Sequence, residues 1–198
     1  MLKAFYQDKL VEAGCDEAGR GCFAGPVFAA AVILSRDFSH PGLNDSKQLT
    51  AAAREEMKIY IEENAVAYSV AMVEVAEIDT INILNASFKA MHLALDKLKV
   101  APGLLLIDGN RFNTYKNLRH ECIIKGDGIY ASIAAASILA KTYRDAYMLR
   151  LHDQYPQYGW DANKGYGTPA HRKAIMSYGL CEHHRKSFQC LPAQLSMF

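Results

Sequence analysis

Gly14-Cys15-Asp16-Glu17-Ala18-Gly19-Arg20-Gly21 is the stretch from which the fold of this chain is read. An apolar run over residues 10–15 reads as a strand, ends in two adjacent carboxylates, and is followed at once by an arginine between glycines. Carboxylates at a strand end suit hard divalent cations, which prefer oxygen ligands. Glycines leave backbone N–H groups open to a phosphate or sugar, and Arg20 adds a planar fork of donors for anions. The octapeptide therefore reads as a metal-binding edge beside a phosphate-reading loop. It reads equally well as a surface turn after a strand, with Asp16 and Glu17 merely solvated.

Working outward, the chain alternates strand-like and helix-like segments. Residues 26–34 (PVFAAAVIL) form an unbroken apolar run, the pattern of a strand covered on both faces. HPGLNDS over residues 40–46 is loop chemistry. Thr50 is placed to cap a helix reaching Asn64, and residues 67–75 alternate as a strand. Between residues 78 and 99, Ile81, Leu84, Phe88, Met91, Leu95 and Leu98 recur every three or four positions, which predicts one amphipathic helix ended by Pro102-Gly103. Short strands over residues 104–107 and 120–124 stop at Asp108-Gly109 and Lys125-Gly126-Asp127-Gly128, and a long helix over residues 130–155 follows. Alternation of this kind predicts an α/β layered fold.

The chain has 198 residues, 51% of them apolar, enough for a substantial core in one domain. Twenty-two basic against 21 acidic residues leave a net charge of +1, so any basic surface must be local. Five cysteines (Cys15, Cys22, Cys122, Cys181, Cys190) without a C-x-x-C pair predict free thiols in a reducing compartment. With no signal pattern and no apolar run near eighteen residues, the expectation is a soluble cytoplasmic protein.

Three strand-like segments end in or near an aspartate: Asp16, Asp108 and Asp127. Strand ends and their loops are where α/β folds assemble sites. Carboxylates converging there would repel unless cations or protons neutralise them, and two divalent ions about 4 Å apart can drive phosphodiester hydrolysis. Because strand side chains alternate, Asp16 and Glu17 share one site only if the strand ends or bulges there. Taken singly, Asp127 also reads as a turn former or helix cap, Asp108-Gly109 as a turn, and Asp145 as a structural acid near Lys141.

The order of motifs carries more. Asp16-Glu17-Ala18-Gly19-Arg20-Gly21 with Gly25-Pro26-Val27 is followed by Asn44-Asp45-Ser46-Lys47, Asp108-Gly109, and Lys125-Gly126-Asp127 leading into the alanine-rich helix with Lys141 and Arg144-Asp145. Lys164-Gly165-Tyr166-Gly167-Thr168 with His171, and His184-Arg185-Lys186-Ser187-Phe188, complete the series. Together, over residues 10–188, they resemble ribonuclease HII.

The resemblance implies a ribonuclease H-like α/β fold: a mixed central sheet flanked by helices, with a small helical C-terminal part, in one domain over residues 1–188 and a tail over 189–198. It implies an endonuclease dependent on Mg²⁺ or Mn²⁺ that cuts 5′ to ribonucleotides in RNA–DNA hybrids and in DNA duplexes with a single embedded ribonucleotide; a monomer is expected, though the sequence leaves the oligomeric state open. The products would carry 3′-hydroxyl and 5′-phosphate ends, in the service of DNA repair and replication. The implied catalytic and metal-binding acids are Asp16, Glu17, Asp108 and Asp127, with Asp127 preferred to Asp145 because it falls at a strand end. Gly19, Arg20 and Gly21 would meet the 2′-hydroxyl and flanking phosphates, and Tyr166 the RNA–DNA junction. Asn44, Ser46, Lys47, Lys141, Lys164 and Arg185 complete the implied substrate contacts, mostly to phosphate.

His171, His183 and His184 lack zinc spacing and read as surface or phosphate-side groups. Cys22-Phe23 stands where many relatives have proline, and Asn163 where histidine is common; both flank the motifs and bear on substrate preference. The tail residues Gln194, Leu195, Met197 and Phe198 resemble a bacterial sliding-clamp binding peptide, or else pack on their own domain. The competing functional reading is a non-catalytic nucleic-acid or nucleotide binding module. A Walker-type loop is disfavoured because Arg20-Gly21, not Lys-Ser/Thr, follows the glycines.

Overall fold

A computed structural model describes residues 2–44, 46 and 49–191. Strands β1 (Glu12–Ala18) and β2 (Val27–Ile33) pair antiparallel across the glycine loop, and β3 (Ala67–Val73) extends the sheet antiparallel to β2. On the other side of β1, β4 (Leu104–Asp108) and β5 (His120–Ile123) run parallel, giving the order β3-β2-β1-β4-β5. The mixed sheet flanked by helices agrees with the fold expected from the sequence.

β2 is buried along its whole length, as its unbroken apolar run requires. Its alternate residues feed two different layers. Ala29, Ala31 and Ile33 face a core with Ala90, Met91 and Leu95 of α3 (Ile83–Lys97), while Ala30 and Val32 face Ala135, Ala136 and Leu139 of α4 (Ala131–Gln154). α1 (Ala51–Asn64) joins the α4 layer through Met57 and Ile61, and Thr50 caps it by accepting the Ala53 N–H at 3.2 Å. The small side chains of α4 let it lie against β1 with almost no gap: a Cβ on Gly14 would stand 2.2 Å from the Ser132 carbonyl carbon.

Two expectations shift. The single helix predicted for residues 78–99 is broken into α2 (Val75–Ile81) and α3 at Asn82, whose φ of 65° no α-helix accommodates. The Asn82 side chain instead accepts the Asn85 N–H at 3.1 Å and starts α3 afresh, competition that periodicity does not register. The predicted tail from residue 189 also stays packed longer: Cys190 is buried, and its carbonyl accepts from Arg172 at 2.7 Å. α5 (Trp160–Asn163) and α6 (Pro169–Tyr178) enclose this third core around the fully buried Trp160. Among the described residues no helix is long and apolar enough to cross a membrane.

Gly14→Ala must push α4 backbone off β1, so it should lower stability by about 3 kcal/mol in urea unfolding. An unchanged midpoint would mean that the β1–α4 contact yields without strain.

Candidate active site

The sheet opens at one point. β1 keeps its register with β2 through Ala18, opposite Phe28, but its ladder with β4 stops at Cys15, opposite Ile107. From Asp16 onward β1 has no partner on that side, and a cleft of about 240 Å³ lies there. Asp16, Glu17 and Asp108 line it together with Gly19, Arg20, Gly21, Ser46, Ser137, Lys141 and Tyr166. The adjacent acids thus reach one site without a bulge, because the parting of two parallel strands opens a cleft that both line.

The carboxylates are held in an unfavourable electrostatic state. Burial, then the charges of Glu17 and Asp108, push the Asp16 carboxyl well above the usual range; bonds from the Ser137 hydroxyl and the Glu17 N–H (2.7 Å) partly oppose this. Ser137 is steadied by Ser46 at 2.9 Å. Glu17 is raised by burial and by Asp108, against the pull of Arg20, whose Nη1 lies 3.1 Å from it. Asp108 accepts the Gly126 N–H at 2.7 Å. An oxygen-only donor set under mutual repulsion fits a hard divalent cation. Among the described residues, however, no three acid, imidazole or thiol groups gather closely enough to hold an ion by themselves. Mg²⁺-type sites meet that condition routinely, completing a shell of one or two carboxylates with water and substrate phosphate.

Asp127 is not at a strand end, as the sequence suggested. β5 stops at Ile123, Lys125 turns left-handed at φ 57°, and Asp127 is buried in a 3-10 turn over Gly126–Gly128. It is absent from the cleft lining and adjoins it through Gly126, the residue bonded to Asp108. Asp145 is engaged by Lys141 at 2.6 Å and Arg54 at 3.7 Å, which agrees with a structural acid.

The glycine loop is fixed from below by two fully buried guanidiniums. Arg185, expected on phosphate, has no exposed surface and spends its donors on carbonyls: Gly25 at 3.0 and 2.8 Å and Arg20 at 2.8 Å. Its donors go to the chain's own backbone. Arg144, not singled out from the sequence, donates to Pro26 (3.1 Å), Ala24 (3.0 Å) and Lys164 (2.9 Å). Gly19, at φ 99°, packs directly on that guanidinium, where a Cβ would lie 2.0 Å from Nε.

Tyr166 lines the cleft with 42% of its surface exposed, and its backbone bridges antiparallel to Cys22. Its hydroxyl bonds the Cys22 thiol, and Lys141 Nζ stands 5.8 Å from its ring. Asn44 is exposed and outside the lining, Lys164 bonds the Asp161 carbonyl, and Lys47 lies outside the described residues. Ser137, missed at first, was marked only by being polar within an alanine-rich helix.

The histidines also differ from expectation. His171 and His184 are fully buried, not at the surface, and pack on Trp160 and Tyr158. Their aromatic neighbours make the C-terminal core, which single-residue spacing does not reveal.

The ribonuclease H-like sheet, with a carboxylate cleft at its parallel strand ends and a glycine-arginine loop over it, defines the class as a nuclease. The family model for ribonuclease HII matches residues 13–191. The ribonuclease HII of Christiangramia forsetii is 58% identical over 193 residues, 98% of each chain, and that of Bacteroides thetaiotaomicron is 59% identical over 191, 96% of each. The PCNA:RNase HII complex from Archaeoglobus fulgidus superposes with a TM-score of 0.77 at 25% identity, covering 93% of this chain and 96% of that one. The chain belongs to the ribonuclease HII family. It is a nuclease acting on RNA–DNA hybrids.

Burial pushes the His184 imidazole down from 6.5 to about 4, and His171 is lowered for the same reason. The unfolded chain then binds a proton that the fold refuses, so stability should fall by about 3 kcal/mol as pH drops from about 6.5 to about 4. His184→Gln should flatten that limb in urea titrations; an unaltered slope would exclude His184 as its source.

Proposed function

We propose that this nuclease cuts on the 5′ side of ribonucleotides, including a single one embedded in duplex DNA, and leaves 3′-hydroxyl and 5′-phosphate ends. Such cutting would serve ribonucleotide removal in DNA repair and replication. The observation that carries this reading is one cleft lined by two chemically distinct sets of residues: Asp16, Glu17 and Asp108, and beside them Gly19-Arg20-Gly21 with Tyr166. The first suits phosphodiester hydrolysis, and the second suits reading a sugar hydroxyl.

Asp16, Glu17 and Asp108 would hold Mg²⁺ or Mn²⁺, with Asp127 completing the set from its neighbouring turn. Bound divalent cations supply an activated water and stabilise a departing oxygen. The chain's own residues prepare the rest. Arg144 and Arg185 hold the carbonyls of Arg20, Ala24, Gly25 and Pro26, which fixes the loop whose Gly19, Arg20 and Gly21 line the cleft. Tyr166 offers its hydroxyl to the 2′-OH, the group that separates RNA from DNA, and its ring to the next sugar. Lys141, partly exposed beside Tyr166, offers charge to a flanking phosphate.

The tail residues Gln194, Leu195, Met197 and Phe198 lie outside the described residues, and we propose that they dock on a sliding clamp. The Archaeoglobus fulgidus relative solved in complex with PCNA supports this.

A labelled duplex with one ribonucleotide should be nicked 5′ to it in Mg²⁺ or Mn²⁺ and left whole in chelator. Asp16→Asn and Asp127→Asn should each lose at least about a hundredfold in rate. Normal cutting by Asp127→Asn would remove it from the acid set and shift attention to Asp145; binding without cutting by the wild type would favour a binding module. Deleting residues 194–198 should abolish clamp pull-down while cleavage of a short duplex persists, and retained pull-down would refute the tail's role.

A further inference from the structure

Behind Tyr166 lies a chain of hydrogen bonds whose direction is fixed by groups that cannot reverse. The Trp160 indole N–H only donates, and it meets His171 Nε2 at 3.1 Å. His184 Nδ1 accepts the Cys181 N–H at 3.0 Å, so the neutral ring carries its proton on Nε2. That N–H points at the same His171 Nε2, 3.1 Å away. With Nε2 accepting from both sides, neutral His171 must carry its proton on Nδ1, 2.9 Å from the Tyr166 carbonyl oxygen, which only accepts. Trp160, His171 and His184 have no exposed surface, so water does not compete for these bonds.

The receiving end is equally constrained. The Tyr166 carbonyl also accepts the Thr168 N–H at 2.8 Å, and Gly165, at φ 85°, sits where a Cβ would lie 2.5 Å from the Ala24 oxygen. The Thr168 hydroxyl in turn accepts the His171 N–H at 3.2 Å, tying α6 to the same segment. The Tyr166 ring is therefore carried into the cleft by a backbone held from the C-terminal core.

We propose that His171, locked as the Nδ1–H tautomer by Trp160 and His184, is a positioning residue that anchors the Tyr166 carbonyl and so sets where the Tyr166 ring stands in the cleft. The catalytic consequence rests on the reading of Tyr166 as the junction-contacting ring. Around the pair, the ionisable groups are Cys181 and His183 on the preceding loop, Arg172 on α6 and Tyr158 before α5. Burial lowers both imidazoles from their ordinary value, which favours the neutral rings that the anchor uses.

Two variants separate anchoring from core support. His171→Gln places an oxygen near Nε2, keeping the acceptor for Trp160 and His184 while losing the donor to Tyr166; His171→Asn does the reverse. His171→Gln should melt within a few degrees of wild type, shift the Tyr166 carbonyl ¹³C resonance, and lose about tenfold in kcat/KM on the ribonucleotide-bearing duplex. His171→Asn should be the less stable of the two yet keep the Tyr166 resonance and most of the kcat/KM. Ring ¹⁵N shifts of the full wild-type chain at neutral pH should report Nδ1–H for His171 and Nε2–H for His184.

The proposal is overturned if His171 shows the other tautomer, if activity follows stability across both variants, or if His171→Gln leaves the Tyr166 resonance unmoved. Tyr166→Ala keeps the two readings apart. If it cuts at the wild-type rate while His171→Gln still shifts the resonance, the anchor stands and the junction role of Tyr166 falls. If it loses activity while His171→Gln behaves as wild type, the anchor falls and the junction role stands.

Discussion

Two positive charges without an exposed surface, Arg144 and Arg185, order the loops that border the carboxylate cleft. A buried guanidinium is tolerable only when its donors are satisfied, and here the satisfying groups are the carbonyls of Arg20, Ala24, Gly25, Pro26 and Lys164. The constraint works in both directions: the loops cannot move without stranding a buried cation, and the cations cannot leave without releasing the loops. Gly19 and Gly25 follow as necessities, since a Cβ at either would meet Arg144 or Met148 at 2.0 or 2.3 Å. Burial pushes Arg185 down to about 10, so the charge persists at working pH.

The carboxylate wall is the electrostatic counterpart. Asp16 is raised by burial and by the charges of Glu17 and Asp108, and Glu17 by burial and by Asp108 against the pull of Arg20. A fold tolerates this where function demands it, because a ligand that neutralises the cluster recovers the free energy. The backbone opening beside the acids, the end of β1–β4 pairing at Cys15, follows from strand lengths: β1 runs to Ala18, whereas β4 stops within one residue of that last pair.

Much of this was legible in the sequence, because the signals were local. The buried run of β2, the Thr50 cap, the glycines around Arg20 and the acids at the ends of β1 and β4 each have a nearest-neighbour cause. What escaped was decided at long range. A histidine or arginine codes equally for a wet surface or a satisfied interior, and only contacts across the fold distinguish them. His171 and His184 are buried because Trp160 and Cys181 answer them, and Arg185 because Gly25, 160 residues away in sequence, does. Asn82 is the reverse case, a local cap that overrode a convincing helical period.

α4 ties these features together. Ser137, Lys141 and Arg144 fall at spacings that place them along one face of that helix. In turn along it, Ser137 bonds Asp16, Lys141 reaches the cleft beside Tyr166, and Arg144 grips the loop carbonyls. One turn before Ser137, the backbone of Ser132 and Ile133 abuts Gly14, which sets the height of the whole face against the strand that carries the acids. A displacement of α4 would therefore move the carboxylate support, the cleft lysine and the loop clamp as one body relative to β1. That shared dependence explains why the helix begins with small residues that pack without slack and becomes charged only once it has cleared the sheet.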